Sequence, residues 1–192
     1  MAAPLPPTPT LETPRLILRP IELEDAPAMQ RRFPQWEIVR HLNAHVPWPY
    51  PADQALNFVR RTLDEMARGE IFKWAIMLRE GPAELIGSID LWWKDEERDN
   101  RGFWLDPEFW GRGLMTEAAE RVTEYAFLEL GWPQLWLTNS QANAASHRIK
   151  EKQGATLIDL TPSVYVSGPG FTETWLLTRE AWLLRRGQRQ PD

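Results

Sequence analysis

Apolar residues recur along the chain at strand or helix spacing, and proline, glycine and acidic positions separate them into candidate elements. Residues 15–19 (R-L-I-L-R) read as a strand stopped by Pro20, and Glu22, Glu24 and Asp25 are placed to open a helix toward Phe33, because carboxylates favour the positive end of a helix dipole. Residues 45–51 (H-V-P-W-P-Y-P) alternate proline with larger residues and predict a stiff loop; Asp53 then caps a helix carrying Leu56, Val59, Leu63 and Met66 on one face and ending at Gly69. Two apolar runs, 73–78 and 85–93, flank Glu80-Gly81-Pro82 as an antiparallel hairpin, the charged stretch 94–100 is a second turn, and 101–105 is a short strand closed by Asp106-Pro107. A helix starting near Thr116 places Met115, Ala119, Val122 and Ala126 on one side, with Gly131 after its end. Residues 135–139 form a strand, Asn143 caps a helix that stops at Gly154, and a strand pair spans 156–166 and 171–178 around Gly168-Pro169-Gly170. Strands and helices in this order predict a mixed α/β fold built on one sheet.

A length of 192 residues with 43% hydrophobic positions fits one domain, taken as 11–184, and 26% charged residues with a net charge of -5 disfavour binding to a nucleic-acid backbone. The absence of cysteine removes disulfides, thiol catalysis and thiolate metal sites, which suits a reducing cytoplasm. No apolar run approaches the 18 or more residues of a membrane span, and the N-terminal residues lack the basic and apolar regions of an export signal. Six of the 17 prolines precede residue 21, so residues 1–10 are expected to be disordered, and 185–192 a polar tail. The 11 tryptophans fit either core filling or aromatic cleft walls.

Chemistry concentrates where the strand ending at Leu105 passes through Trp110-Gly111-Arg112-Gly113-Leu114-Met115-Thr116 into a helix. The first-turn N–H groups of a helix have no internal partner and carry partial positive charge, while two glycines let an anion approach the backbone. Neither a P-loop nor a dinucleotide-binding fingerprint is present. The segment resembles the R/Q-x-x-G-x-G/A signature of the GNAT acetyltransferase superfamily. Asn143-Ala144-Ala145-Ser146-His147-Arg148-Ile149-Lys150-Glu151-Lys152-Gln153-Gly154-Ala155 is similar to the superfamily's N-x-A-S-x-R-x-x-E-K-x-G-F helix. With L-E-T-P-R-L-I-L-R-P near the N-terminus, the pattern resembles the ribosomal-protein (Rim-type) N-acetyltransferase branch over about residues 11–182. Trp110, Met115 and Ala155 depart from the commoner signature residues.

The resemblance implies a mostly antiparallel sheet, flanked by helices and splayed at the cofactor site. It implies that Phe103, Trp104 and Leu105 offer backbone groups to the pantetheine of acetyl-CoA, and that the amides from Trp110 and Gly111 through Gly113, Leu114 and Met115 to Thr116 hold its pyrophosphate, with the Thr116 hydroxyl and Arg112 as added partners. Asn143 would meet the pantetheine arm while also capping its helix, and Arg148 or Lys152 would reach the adenosine 3′-phosphate, a position where a cation also complements the helix dipole. Acetyl transfer to an amine needs a neutral amine, a polarised thioester and a proton for the leaving thiolate; direct attack is the route the residues favour. Ser146 is the implied proton donor. Asp90 and Glu173 are the candidate bases, with a water chain to a distant carboxylate as the other route. His41 and His45 have helical spacing but no third ligand, so no metal is expected. Trp48 and Tyr50 are expected on the acceptor side. The acceptor is a protein N-terminal amine or a small-molecule amine, drawn by the net negative charge if cationic. A non-catalytic acyl-CoA sensor is the rival class, no membrane or nucleic-acid partner is expected, and a homodimer is left open.

Overall fold

The computed structural model describes residues 4–93 and 98–187. The elements are β1 (Leu11–Glu12), β2 (Leu16–Pro20), α1 (Ala26–Arg32), α2 (Trp36–Val39), α3 (Gln54–Ala67), β3 (Phe72–Leu78), β4 (Gly87–Leu91), β5 (Phe103–Leu105), α4 (Leu114–Glu124), β6 (Gln134–Ser140), α5 (Ala144–Gln153), β7 (Thr156–Tyr165), β8 (Gly168–Thr178) and α6 (Arg179–Gly187). Strands β1 to β5 pair in that order, all antiparallel, and β6, β8 and β7 form a second antiparallel group. The groups touch where the Asn100 amide donates to the Trp136 carbonyl at 2.8 Å. The Trp136 amide returns a hydrogen bond to the Asn100 side chain at 2.7 Å. Beyond that junction β5 and β6 do not pair, and the mixed α/β sheet is splayed there.

Strand β3 explains why its sequence lacks a polar alternation. Phe72, Trp74 and Ile76 enter one core with α4, β6, β8 and α6, while Ala75 and Met77 face a second core under α1, α2 and α3. Both faces are covered, so both must be apolar. The face of α4 runs as its spacing predicts, with Met115, Ala119, Val122 and Ala126 all buried. The helix starts at Leu114, and a π-turn over Tyr125–Glu129 carries it toward Gly131, at φ +71°.

Three expectations need correction. Residues 4–10 are not loose: the Leu5 amide donates to the Gly69 carbonyl at 2.8 Å and the Trp74 indole donates to the Pro9 carbonyl at 2.6 Å. Prolines that cannot join a ladder can still leave carbonyls free to accept. The expected tail from 185 is in part the last turn of α6, held by an Arg185 hydrogen bond to the Lys152 carbonyl and an Arg186–Glu124 ion pair. Residues 1–3 of the expected leader, 188–192 of the tail and 94–97 of the second turn lie outside the described residues. The β7–β8 turn is Val166-Ser167, because Tyr165 pairs with Gly168, and Gly168-Pro169-Gly170 belongs to β8. That register buries Trp175 and Leu177, which decides the turn's position over its glycine content.

Candidate active site

The splay opens a cavity of about 600 Å³. Its walls come from α2 and the residues after it (Glu37, Ile38, Arg40, His41, Leu42), from β5 and the 109–116 loop, and from the start of α5 with Asn143, Ser146, Arg148 and Lys152.

The loop has the backbone geometry of an anion cradle. Gly111 and Gly113 take φ of +74° and +76°, the left-handed region that glycine enters without a Cβ penalty. Among the described residues, none of the amides from Gly111 to Thr116 has an acceptor within the protein; the first return bond of α4 is Glu117 N–H to the Gly113 carbonyl. Six consecutive donors around the helix N-terminus are therefore unpaired, and five of their residues, all but Arg112, line the cavity. Leu114 and Met115 send their side chains into the core, so the bulk of Met115 lies away from the cradle. Arg15 buttresses the loop from β2's end of the chain, donating to the Arg112 carbonyl at 2.8 Å and pairing with Glu117 at 2.6 Å. Nothing in the local sequence of either segment announces this contact between positions 102 apart.

Strand β5 supplies an open edge. Asp106 N–H donates to Ile86 and Asp90 N–H to Gly102, so by two-residue alternation the backbone of Trp104 turns toward β4 and that of Phe103 and Leu105 turns outward. The Trp110 indole takes the Leu105 carbonyl at 2.7 Å. Phe103 and the Leu105 amide thus remain for a ligand, whereas Trp104, expected to offer backbone groups, contributes only its side chain to the wall.

At α5, Asn143 both caps the helix, accepting from the Ser146 amide at 3.1 Å, and lines the cleft. Ser146 is 6% exposed, lines the cleft, and its Oγ accepts a hydrogen bond from Lys150 Nζ at 2.8 Å. Arg148 and Lys152 also line the cavity.

Other predicted residues lie elsewhere. The Arg112 side chain is not on the wall and donates to the Glu108 carbonyl at 3.1 Å. Asp90 is bound to Lys73 at 2.6 Å and to the Gly102 amide at 2.7 Å, on the sheet face under α3 and off the cleft wall. Glu173 is 5% exposed and is held by Asn139 at 2.8 Å and His147 Nδ1 at 2.9 Å, also off the wall. Trp48 stacks obliquely on Trp36 with centroids 5.7 Å apart, and Tyr50 packs edge-on against Phe33 at 5.3 Å. Neither lines the cavity. Burial pushes the Tyr50 phenol up to about 12, as fits a packing role. Tyr50→Ala is expected to destabilise the fold by about 2 kcal/mol in urea melts, less than a fully buried ring, with kcat and both KM values nearly unchanged.

The wall carries Glu37, which local patterning did not single out, and His41, which it considered only as a metal ligand. Burial, and secondarily the Arg40 guanidinium, hold the His41 imidazole below its usual 6.5. Its Nε2 accepts from Arg40 Nε at 3.1 Å, which also favours the neutral ring.

An anion cradle, a free strand edge and a buried hydroxyl around one cavity suit acyl transfer from a diphosphate-bearing thioester. Comparison with known proteins makes the class definite: residues 15–156 match the acetyltransferase (GNAT) domain, and the chain belongs to that family. It is an acetyl-CoA-dependent N-acetyltransferase. Among curated relatives, the uncharacterized N-acetyltransferase YoaA of Bacillus subtilis is 31% identical over 150 residues, covering 76% of this chain and 82% of YoaA. Among solved structures, Mycobacterium smegmatis RimJ, in complex with a CoA disulfide, superposes with a TM-score of 0.77 at 17% identity, covering 94% of this chain and 92% of RimJ. RimL, the ribosomal L7/L12 alpha-N-protein acetyltransferase in complex with coenzyme A, gives 0.76 at 15% identity over 90% of this chain and 99% of its own.

Proposed function

We propose that the acceptor is the N-terminal amine of a protein or peptide, acetylated by direct attack on acetyl-CoA. The observation that carries the catalytic part of this reading is the convergence of the unpaired-amide loop, the β5 edge and Ser146 on one cavity. The pyrophosphate rests on the amides of 111–116 with the Thr116 hydroxyl beside them, the pantetheine runs along Phe103 and Leu105 past Asn143, and Arg148 or Lys152 meets the 3′-phosphate. This places the thioester near Ser146, whose hydroxyl protonates the leaving thiolate. The acceptor enters from the α2 side, where exposed Glu37 draws an ammonium group and neutral His41 takes the proton that the attacking nitrogen sheds. Asp90 and Glu173, held by other partners off the wall, are not part of this reading.

The acceptor class rests on Glu37, the net charge of -5 and the fold shared with RimL and RimJ, whose own substrates are ribosomal proteins in the first case. Incubation with acetyl-CoA and a mixed library of peptides and metabolite amines, read by mass spectrometry, tests it. Acetylated peptide N-termini are the expected products; acetylation confined to small metabolites would overturn the acceptor assignment while leaving the transferase chemistry in place.

His41→Ala is expected to lower kcat/KM for the amine a few-fold at neutral pH, because an amine that arrives neutral can also lose its proton to water. Protonation of the amine itself lowers the profile below about pH 8 in both proteins; in the wild type a second, steeper fall should appear only below pH 6.5, since a lowered pKa keeps the imidazole basic to lower pH, and that second limb should change in the variant. An identical second limb in both proteins would remove His41 from the reaction.

A further inference from the structure

Lys150 is a lysine where a helix of this kind has every reason to place an aliphatic side chain. It is 2% exposed, packs with its Nζ 5.8 Å from the Phe103 ring, and among the described residues the one hydrogen bond of its Nζ is to Ser146 Oγ at 2.8 Å. No carboxylate lies within ion-pair distance among the described residues; Asp99, whose Oδ1 is sealed from water without a partner, and Glu173 act on it only at longer range. An ammonium so enclosed costs more than a leucine unless its proton is used.

We propose that Lys150 is the proton reservoir behind Ser146, so that the two side chains deliver a proton to the departing thiolate as one unit. This rests on the reading of Ser146 as the thiolate's proton donor. Lys150 does not line the cavity, so it acts through Ser146 as a positioning and proton-supplying residue.

The balance closes within the reaction. The acceptor nitrogen attacks the acetyl carbonyl carbon and the C–N bond forms; on collapse the C–S bond breaks and its electron pair stays on sulfur. The Ser146 O–H proton passes to sulfur while a Lys150 N–H proton passes to Ser146 Oγ. Lys150 is left neutral and is recharged, back through Ser146, by the proton that the acceptor nitrogen has shed to His41 and that His41 releases into the cleft water. No proton is gained or lost overall.

The reservoir makes the step favourable. A serine hydroxyl alone is a far weaker acid than a thiol, and an ordinary lysine, near 10.4, is weaker than a thiol near 8.5. Burial first, and then the Arg101 guanidinium, push the Lys150 ammonium down to about 7, against smaller opposing effects of Asp99 and Glu173. An acid in that range gives its proton to a thiolate downhill. The charged or titratable groups around it are Arg101 and Asp99 from the segment before β5, Glu173 from β8, and His147 of its own helix, the last paired with Glu173. Arg101 and Asp99 are sealed as well, and burial shifts both, the Arg101 guanidinium down to about 10 and the Asp99 carboxyl up to about 6; Lys150 is the one of the three that hydrogen-bonds Ser146.

The test compares wild type, Ser146→Ala, Lys150→Met, Lys150→Gln and the Ser146→Ala/Lys150→Met double variant, measuring kcat against pH and coenzyme A affinity by calorimetry. Wild-type kcat should decline as pH rises through about 7, because the protonated form is the active one. Lys150→Met and Lys150→Gln should each lose roughly tenfold in kcat at neutral pH and lack that alkaline decline, with coenzyme A affinity kept. The glutamine variant can still donate to Ser146 but cannot titrate, so it separates proton supply from placement and carries the test if the methionine variant does not fold. The double variant should be no slower than Ser146→Ala alone. A decline that persists without Lys150, or losses that multiply in the double variant, would overturn the relay while leaving Ser146 as donor. Unaltered kcat in Ser146→Ala would instead remove the donor reading itself.

Discussion

Replacing Ser146 by alanine is expected to lower kcat by roughly 10²-fold, the lower end for a positioned acid, while coenzyme A affinity stays within about twofold. In the proposed mechanism the hydroxyl meets the thioester sulfur only as charge develops there, so its removal acts on the transition state and not on ground-state binding. One structural feature supports the separation. The helix-capping bond at this point uses the Ser146 backbone amide and the Asn143 side chain, both kept in alanine, and the fold does not depend on the hydroxyl for that cap. The same change also leaves the Lys150 ammonium without its hydrogen-bond partner, so a modest loss of stability should accompany the loss of rate. Unchanged kcat, with chemistry demonstrated to be the slow step, would show that Ser146 only packs.

Gly113→Val is expected to weaken coenzyme A binding at least tenfold, about 1.4 kcal/mol or more. Gly113 holds φ at +76°, and a Cβ built there meets only the Arg15 Nη2 at 3.6 Å. Space within the protein is therefore not the obstacle. A β-branched side chain in the left-handed region costs on the order of 1–2 kcal/mol of backbone strain, and relaxing it rotates the peptide groups that hold the cradle's amides in place. Gly113→Ala should show the smaller part of this effect, since only the strain of a single methyl remains. Calorimetry finding wild-type affinity in a folded Gly113→Val protein would move the pyrophosphate off this loop.

The cradle and the α5 motif were readable in the chain because both are local. A strand end, two glycines and a helix start within a dozen residues determine where unpaired amides lie, whatever packs around them. The capping asparagine and Ser146 are one turn apart on one helix, so their common orientation follows from helix geometry. Even Lys150 was visible as the residue four positions after Ser146, which places it on the same face; its burial was not, because a lysine is by default assigned to solvent.

Residues brought from distant segments were read less well. Asp90 stood out as a carboxylate inside an apolar strand, and its partner Lys73 became apparent only with the β3–β4 register that sets the two side by side. Glu173 likewise meets His147 and Asn139 from α5 and β6. Trp48 and Tyr50 carry the aromatic character of a recognition loop, yet their rings go to Trp36 and Phe33, while the adjoining Glu37 and His41 reach the cavity.

By itself the sequence determined the order of the main strands and helices, the glycine loop ahead of α4, the α5 motif and thus the family, since each depends on backbone conformations and spacings set within one segment. Tertiary structure alone decided which carboxylates are held away from the cleft, that Glu37 and His41 line it, and that the Lys150 ammonium is sealed against Ser146. Those outcomes turn on strand register and on which surfaces are excluded from water, and both are properties of the packed chain, where a group's neighbours and its solvation are set by segments far away along the sequence.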